Sequence, residues 1–154
     1  MEEVKELQTE HHQEQSPSID IDEIEHNHKT FVICIVGAPG TGKTSTLHCM
    51  LGKPIECIAP THVDFYQKIK IRLTSDEEEK EEFELVIVDT GGDPFASQMR
   101  MNLFEKIQPD GFMIFFAIDD RVSFDNVSAW QAEIQTVNDE APILLVASKS
   151  DLRG

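Results

Sequence analysis

The sequence predicts an α/β fold: a mostly parallel sheet with one antiparallel edge strand and helices on both faces. Three observations carry this. Four short runs, residues 31–36, 85–88, 112–118 and 143–147, are nearly continuous in apolar side chains, as strands buried on both faces are. Segments with helical spacing lie between them. A fifth run alternates: Val63, Phe65, Ile69, Ile71 and Leu73 share one parity, the pattern of a half-exposed strand at a sheet edge.

In chain order, residues 31–36 form the first strand, a glycine-rich stretch follows, and a helix is expected over 43–51. The alternating strand comes next. Residues 76–82, Asp-Glu-Glu-Glu-Lys-Glu-Glu, turn the chain back into the strand at 85–88, giving a hairpin with a long charged tip. A helix over 97–107 places Met101, Phe104 and Ile107 three apart. After the strand at 112–118, a helix over 123–137 opens on Ser123 as its hydroxyl cap and carries Val127, Trp130, Ile134 and Val137. The strand at 143–147 completes the order β-α-β-β-α-β-α-β.

The 154 residues have room for one domain, and their formal net charge is −16. That charge speaks against nucleic acid as a partner and against electrostatic attachment to anionic lipid. It is concentrated in two places. Residues 1–30 hold nine acids against two bases, and residues 76–82 hold six against one. The first of these has no aromatic residue and reads as an acidic disordered tail, with 31–154 as the folded part. Ile19, Ile21 and Ile24 alternate with acids inside it, and His11, His12, His26 and His28 cluster loosely. Neither pattern outweighs a solvated tail, and no metal site is expected there. No apolar run reaches the ~20 residues of a membrane helix, and neither a signal peptide nor a lipid anchor is expected in this chain. Three cysteines are too few for a disulfide framework, so a reduced, cytoplasmic setting is expected.

The chemistry centres on Gly37-Ala-Pro39-Gly40-Thr41-Gly42-Lys43-Thr44, which fits G-x-x-x-x-G-K-[ST] between a strand and a helix. Glycines let the backbone curl so that its N–H groups meet phosphate oxygens, and the following helix adds its N-terminal dipole. Lys43 would reach the β- and γ-phosphates, and the Thr44 hydroxyl would ligate Mg²⁺, with Ser45 beside it. Asp89-Thr-Gly-Gly92 ends the next buried strand. There Asp89 is placed to hold Mg²⁺ and the Gly92 N–H to meet a γ-phosphate oxygen, the alternative being a simple turn. Thr61 precedes the alternating strand, where its hydroxyl could close on the metal. The last strand runs into Ser148-Lys149-Ser150-Asp151. A carboxylate there can accept two hydrogen bonds from guanine, and the Lys149 stem can lie across the base. Alone, that tetrapeptide reads equally as a surface turn.

Taken in order over residues 31–154, these motifs resemble the Ras-like small GTPases, with residues 111–124 similar to that family's fourth strand and the start of its third helix. The resemblance implies a P-loop NTPase fold that binds GTP or GDP with Mg²⁺. It implies phosphate binding by Lys43 and the loop amides, metal ligation by Thr44, Thr61 and Asp89, γ-phosphate sensing by Gly92, and guanine selection by Lys149 and Asp151. It also implies a switch: segments around 55–61 and 91–100 order on GTP and relax on GDP, and effectors and regulators dock through residues 55–75 and 91–100.

The departures from that family matter too. Asp93 stands where the family has a glutamine that orients the attacking water, so slow hydrolysis is expected. Pro39 replaces a common glycine and removes an amide donor. Ser148 replaces asparagine, and is expected to lose one contact to the base and a tie to the phosphate loop. The family's closing strand and helix do not follow Asp151, so apolar sheet surface is expected to face water, as in a partial sequence. Two other functions remain open: an inert interaction module that keeps the fold, and an ATP-dependent phosphotransferase, against which Asp151 counts.

Overall fold

A computed structural model describes residues 29–52, 65–74 and 80–152, with the backbone alone described for 65–74 and 80–82. Residues 1–28 of the acidic segment and Thr61 lie outside the described residues, and Thr30, read as the end of that segment, is the first residue of β1. The strands are β1 (Thr30–Gly37), β2 (Phe65–Thr74), β3 (Lys80–Asp89), β4 (Gly111–Ala117) and β5 (Ile143–Ser148). The helices are α1 (Lys43–Met50), α2 (Ser97–Ile107), α3 (Arg121–Asp125) and α4 (Val127–Val137), with 3-10 turns at Pro94–Ala96 and Ser150–Leu152. The sheet order is β2-β3-β1-β4-β5. β1 pairs parallel with β3 and β4, β4 pairs parallel with β5, and β2 lies antiparallel on the edge. The predicted architecture is thus the observed one.

The core lies on both faces of the sheet. On one, Val32, Cys34, Val36, Val86 and Val88 pack with Leu103, Phe104 and Ile107 of α2 and Trp130 and Ile134 of α4. Phe104 and Phe112 meet edge to face, 5.1 Å between centroids. On the other, Ile35, Ile87 and Phe115 pack with Leu47 of α1. This second layer is thinner, and Phe31 and Leu144 remain 44% and 57% exposed.

Two elements differ from the sequence reading. The acidic run is not all turn: Lys80–Glu82 already belong to β3, in register with Arg72–Thr74 of β2. β1 joins β3 only from Glu84 onward, so the hairpin projects past the sheet as a two-stranded ribbon. Ladder bonds are made by backbone, and a ribbon with no third strand does not require an apolar sequence. The predicted helix over 123–137 is also two helices, α3 and α4, meeting at Asn126. Its cap is not Ser123. Asp120 caps α3, its Oδ1 accepting from the Val122 N–H at 3.0 Å. Ser123 is buried inside α3, where its Oγ accepts from the Ala117 N–H at 3.0 Å and donates to the Asp120 carbonyl at 2.7 Å. These bonds tie the end of β4 to the helix, so the hydroxyl serves the strand and not the helix start.

Candidate functional site

The parallel strands all end on one edge of the sheet, so the loops after β1, β3, β4 and β5 gather there. This is the edge at which open α/β sheets bind ligands, where the connections out of β1 and β3 run to opposite sides of β1.

The loop after β1 is braced by its own side chains. Thr41 is buried and its Oγ1 donates to the Ala38 carbonyl at 2.8 Å. Lys43 opens α1, yet it is only 5% exposed, because Nζ folds back to donate to the carbonyls of Gly37 at 2.8 Å and Ala38 at 3.0 Å. Gly42 precedes it with φ +81°, a conformation strained for any residue with a Cβ, and no side chain caps α1. The positive end of the helix dipole thus faces this loop with no capping side chain from Gly42. Burial pulls the Lys43 ammonium from 10.5 down to about 8; Asp89 opposes that shift and Arg100 adds to it. Pro39 and Gly40 are exposed on the loop, and Ser45 is half-buried in α1.

The second loop meets the first. Thr44 Oγ1 donates to Asp89 Oδ2. Asp89 is fully buried, and its Oδ1 accepts no hydrogen bond among the described residues. A hydroxyl and a carboxylate oxygen side by side, in a fold that leaves the second oxygen to be satisfied, suit a hard cation with oxygen ligands. No cluster of three or more His, Cys, Asp or Glu forms a metal site among the described residues. Thr90 Oγ1 anchors the loop to the Ile35 carbonyl at 2.9 Å. At Gly92 the two loops touch: a Cβ there would stand 2.6 Å from the Gly37 oxygen and 2.7 Å from the Pro39 nitrogen. Only glycine permits this approach.

Asp93 is exposed, and its Oδ1 accepts from the Phe95 N–H at 2.9 Å, capping the turn at Pro94–Ala96. One of its two carboxylate oxygens is thus engaged by the backbone that follows it.

The loop after β5 corrects an expectation. Ser148 keeps a tie to the phosphate loop: its Oγ lies 2.6 Å from the Thr41 carbonyl and 3.0 Å from that of Phe116. A single hydroxyl proton serves the nearer one, so the short side chain does here what a longer amide was expected to do. Lys149 has φ +59°, and its Nζ pairs with Asp119 Oδ2 at 3.3 Å. Asp151 is exposed in the turn Ser150–Leu152.

Asp119, Arg100 and Glu133 belong to this region and were not read from sequence. Arg100 had a signal: it sits four before Phe104 and seven before Ile107, a charge on the buried stripe of α2.

The sequence pattern of the Ras family matches residues 32–154. The chain is 33% identical to Protein ras-1 of Neurospora crassa over 129 residues, 82% of this chain and 57% of that one. It is 31% identical to Ras-like protein 2 of Drosophila melanogaster over 128 residues, 81% of this chain and 62% of that one. It is 29% identical to Ras-like protein rasX of Dictyostelium discoideum over 129 residues. The chain spans under two thirds of the length of these relatives. With its fold and the loops gathered at its sheet edge, this chain belongs to the Ras family.

Proposed function

We propose that this chain binds guanine nucleotide with Mg²⁺ at the carboxyl edge of its sheet and acts as a Ras-like switch with slow intrinsic GTP hydrolysis. The observation that carries the reading is that Lys43 and Thr44, at the start of α1, meet Asp89, at the end of β3. The amides of Gly40, Thr41, Gly42 and the start of α1 bind phosphate oxygens. An ammonium has three N–H bonds, and Lys43 spends two on carbonyls, leaving one for a phosphate. Thr44, Asp89 and Thr61 would hold the Mg²⁺, which would supply positive charge to offset that of the phosphates. The Gly92 N–H meets the γ-phosphate. Asp151 accepts from guanine, and the Lys149 stem, steadied by Asp119, lies against the base.

Slow hydrolysis follows from Asp93. It is already engaged as a turn cap, and an anion beside a γ-phosphate is poorly suited to orient the attacking water. Effectors and regulators dock through residues 55–75 and 91–100. In the second of these, Phe95 is 97% and Met99 73% exposed. Those side chains also favour a second reading, an interaction module that binds partners without turnover; single-turnover hydrolysis separates the two. The strongly acidic residues ahead of β1 are read as an appendage to the nucleotide-binding domain, in a cytoplasmic setting.

Lys43→Ala tests the site. Without the ammonium, affinity for GDP and GTP is expected to fall at least about 100-fold, the scale of a charge-assisted contact in a buried site. The circular dichroism spectrum should remain folded. Unchanged affinity would remove the nucleotide from this loop.

A further inference from the structure

Ser148 ends β5 and leads directly into Lys149 and Asp151. Its side chain is also where that loop meets the phosphate loop. A Cβ built on Gly42 would stand 3.8 Å from both Cβ and Oγ of Ser148, and the Thr41 carbonyl lies 2.6 Å from Oγ. The sheet fixes this position. Ser148 is in register with Ala117 of β4, and the Ile118 N–H donates to the Ser148 carbonyl at 3.1 Å. A hydroxyl has one proton, and at 2.6 Å it belongs to the Thr41 carbonyl, with the Phe116 carbonyl farther off at 3.0 Å. What Oγ has left to offer is lone pairs. The neighbouring donors are engaged as well. Thr41 Oγ1 donates to the Ala38 carbonyl at 2.8 Å, and Lys149 Nζ pairs with Asp119.

A guanine held by Asp151 gives that carboxylate its ring N–H and its exocyclic amine. The opposite side of the purine carries N7, an acceptor without a proton. N7 needs a donor, and a hydroxyl already engaged by a carbonyl is not one. An asparagine amide has two N–H bonds and can serve a carbonyl and a ring nitrogen together. Resting on the nucleotide reading above, we infer that Ser148 leaves N7 without a partner: base selection rests on Asp151, and the site accepts guanine nucleotides in which N7 is no longer an acceptor. Guanine and adenine share N7, so the preference for guanine loses nothing by this. Ser148 thus acts on specificity through the contact it withholds.

The test is competition on the full chain in Mg²⁺, with fluorescent GDP as the displaced label. The competitors are GDP, 7-deaza-GDP, which has C–H in place of N7, and IDP, which lacks the exocyclic amine. 7-Deaza-GDP is expected to compete within about twofold of GDP, because no hydrogen bond is lost. IDP is expected to be at least about tenfold weaker, because the bond it lacks is made to a carboxylate. Ser148→Asn should make 7-deaza-GDP about fivefold weaker than GDP, the scale of one neutral hydrogen bond. Ser148→Ala, which only removes the tie to Thr41, should weaken GDP and 7-deaza-GDP by the same factor.

A wild-type chain that binds 7-deaza-GDP about fivefold or more weakly than GDP overturns the inference. So does a loss confined to GDP in Ser148→Ala, which would mean that the hydroxyl serves N7 after all. Equal binding of the two by Ser148→Asn also overturns it, because the amide at this position would then reach no N7. IDP that competes as well as GDP overturns the part given to Asp151. Should either variant not fold, the wild-type comparison of GDP, 7-deaza-GDP and IDP decides by itself. A folded wild-type chain that binds none of the three overturns the nucleotide reading and this inference with it. Binding of GDP with discrimination against 7-deaza-GDP overturns this inference alone.

Discussion

Lys43 shows how much one side chain is asked to do in this fold. It opens α1, spans the phosphate loop and remains an ammonium in a place that disfavours charge, with its pKa lowered to about 8. The unfolded chain therefore binds more protons than the folded one between about 8 and 10.5, and the stability of the protein without nucleotide rises with pH across that window. Binding responds in the opposite sense, because a phosphate requires the ammonium. Affinity for GDP is expected to fall as pH rises past about 8, approaching tenfold per unit. Lys43→Arg, which stays charged throughout, should flatten the profile. A wild-type profile flat from neutrality to well above that value would contradict the role given to Lys43. The residue types in this loop were legible in the sequence because G-x-x-x-x-G-K-[ST] has one well-defined structural context. Ser148 was only half legible. Its identity showed a lost amide, but its tie to Thr41 depends on how close β5 brings the two loops. Arg100 and Glu133 are 33 residues apart, and only packing of α2 on α4 brings them together.

At the scale of elements, the two helices α2 and α4 set the position of the second loop, and the apolar layer beneath them sets the position of the helices. Phe104 is fully buried in that layer, so Phe104→Ala is expected to cost about 3–5 kcal/mol. Phe95, at 97% exposure, should cost no more than about 0.5 kcal/mol when cut to alanine. Urea denaturation at constant m-value checks both; equal costs would mean that the layer does not bear on α2 as described. The strands were legible because a parallel strand between two helical layers is apolar on both faces, and few other elements show that run. The break at Asn126 was not. The spacing of Val127, Trp130, Ile134 and Val137 continues one periodicity, while the start of the helix is set by Asp120 and by the bonds of Ser123 to the end of β4. The start of β3 at Lys80 was hidden for a related reason: composition marks charged residues as turn, whereas pairing with β2 is a property of the backbone.

For the molecule as a whole, the sheet order shows how a strongly acidic chain could take a polyanion, as proposed above. Strands β1 and β3 lie side by side with parallel ends, so amide groups, one ammonium and a helix N-terminus meet at a single edge. Lys80–Glu82, the end of the acidic run, pair with β2 beyond the reach of β1, at the opposite end of β3 from Asp89. Charges separated by more than ~8–10 Å are screened in physiological salt. Among the described residues no helix is long and apolar enough to cross a membrane. The central claim is guanine-selective binding at this edge. The measurement that tests it most directly is titration of the purified chain with fluorescent GDP and GTP in Mg²⁺, with unlabelled ATP and GDP as competitors and circular dichroism recorded alongside. Displacement by GDP but not by ATP, from a folded chain, is the expected result. A folded chain that binds neither guanine nucleotide, or one that gives up its label equally to ATP, would contradict it.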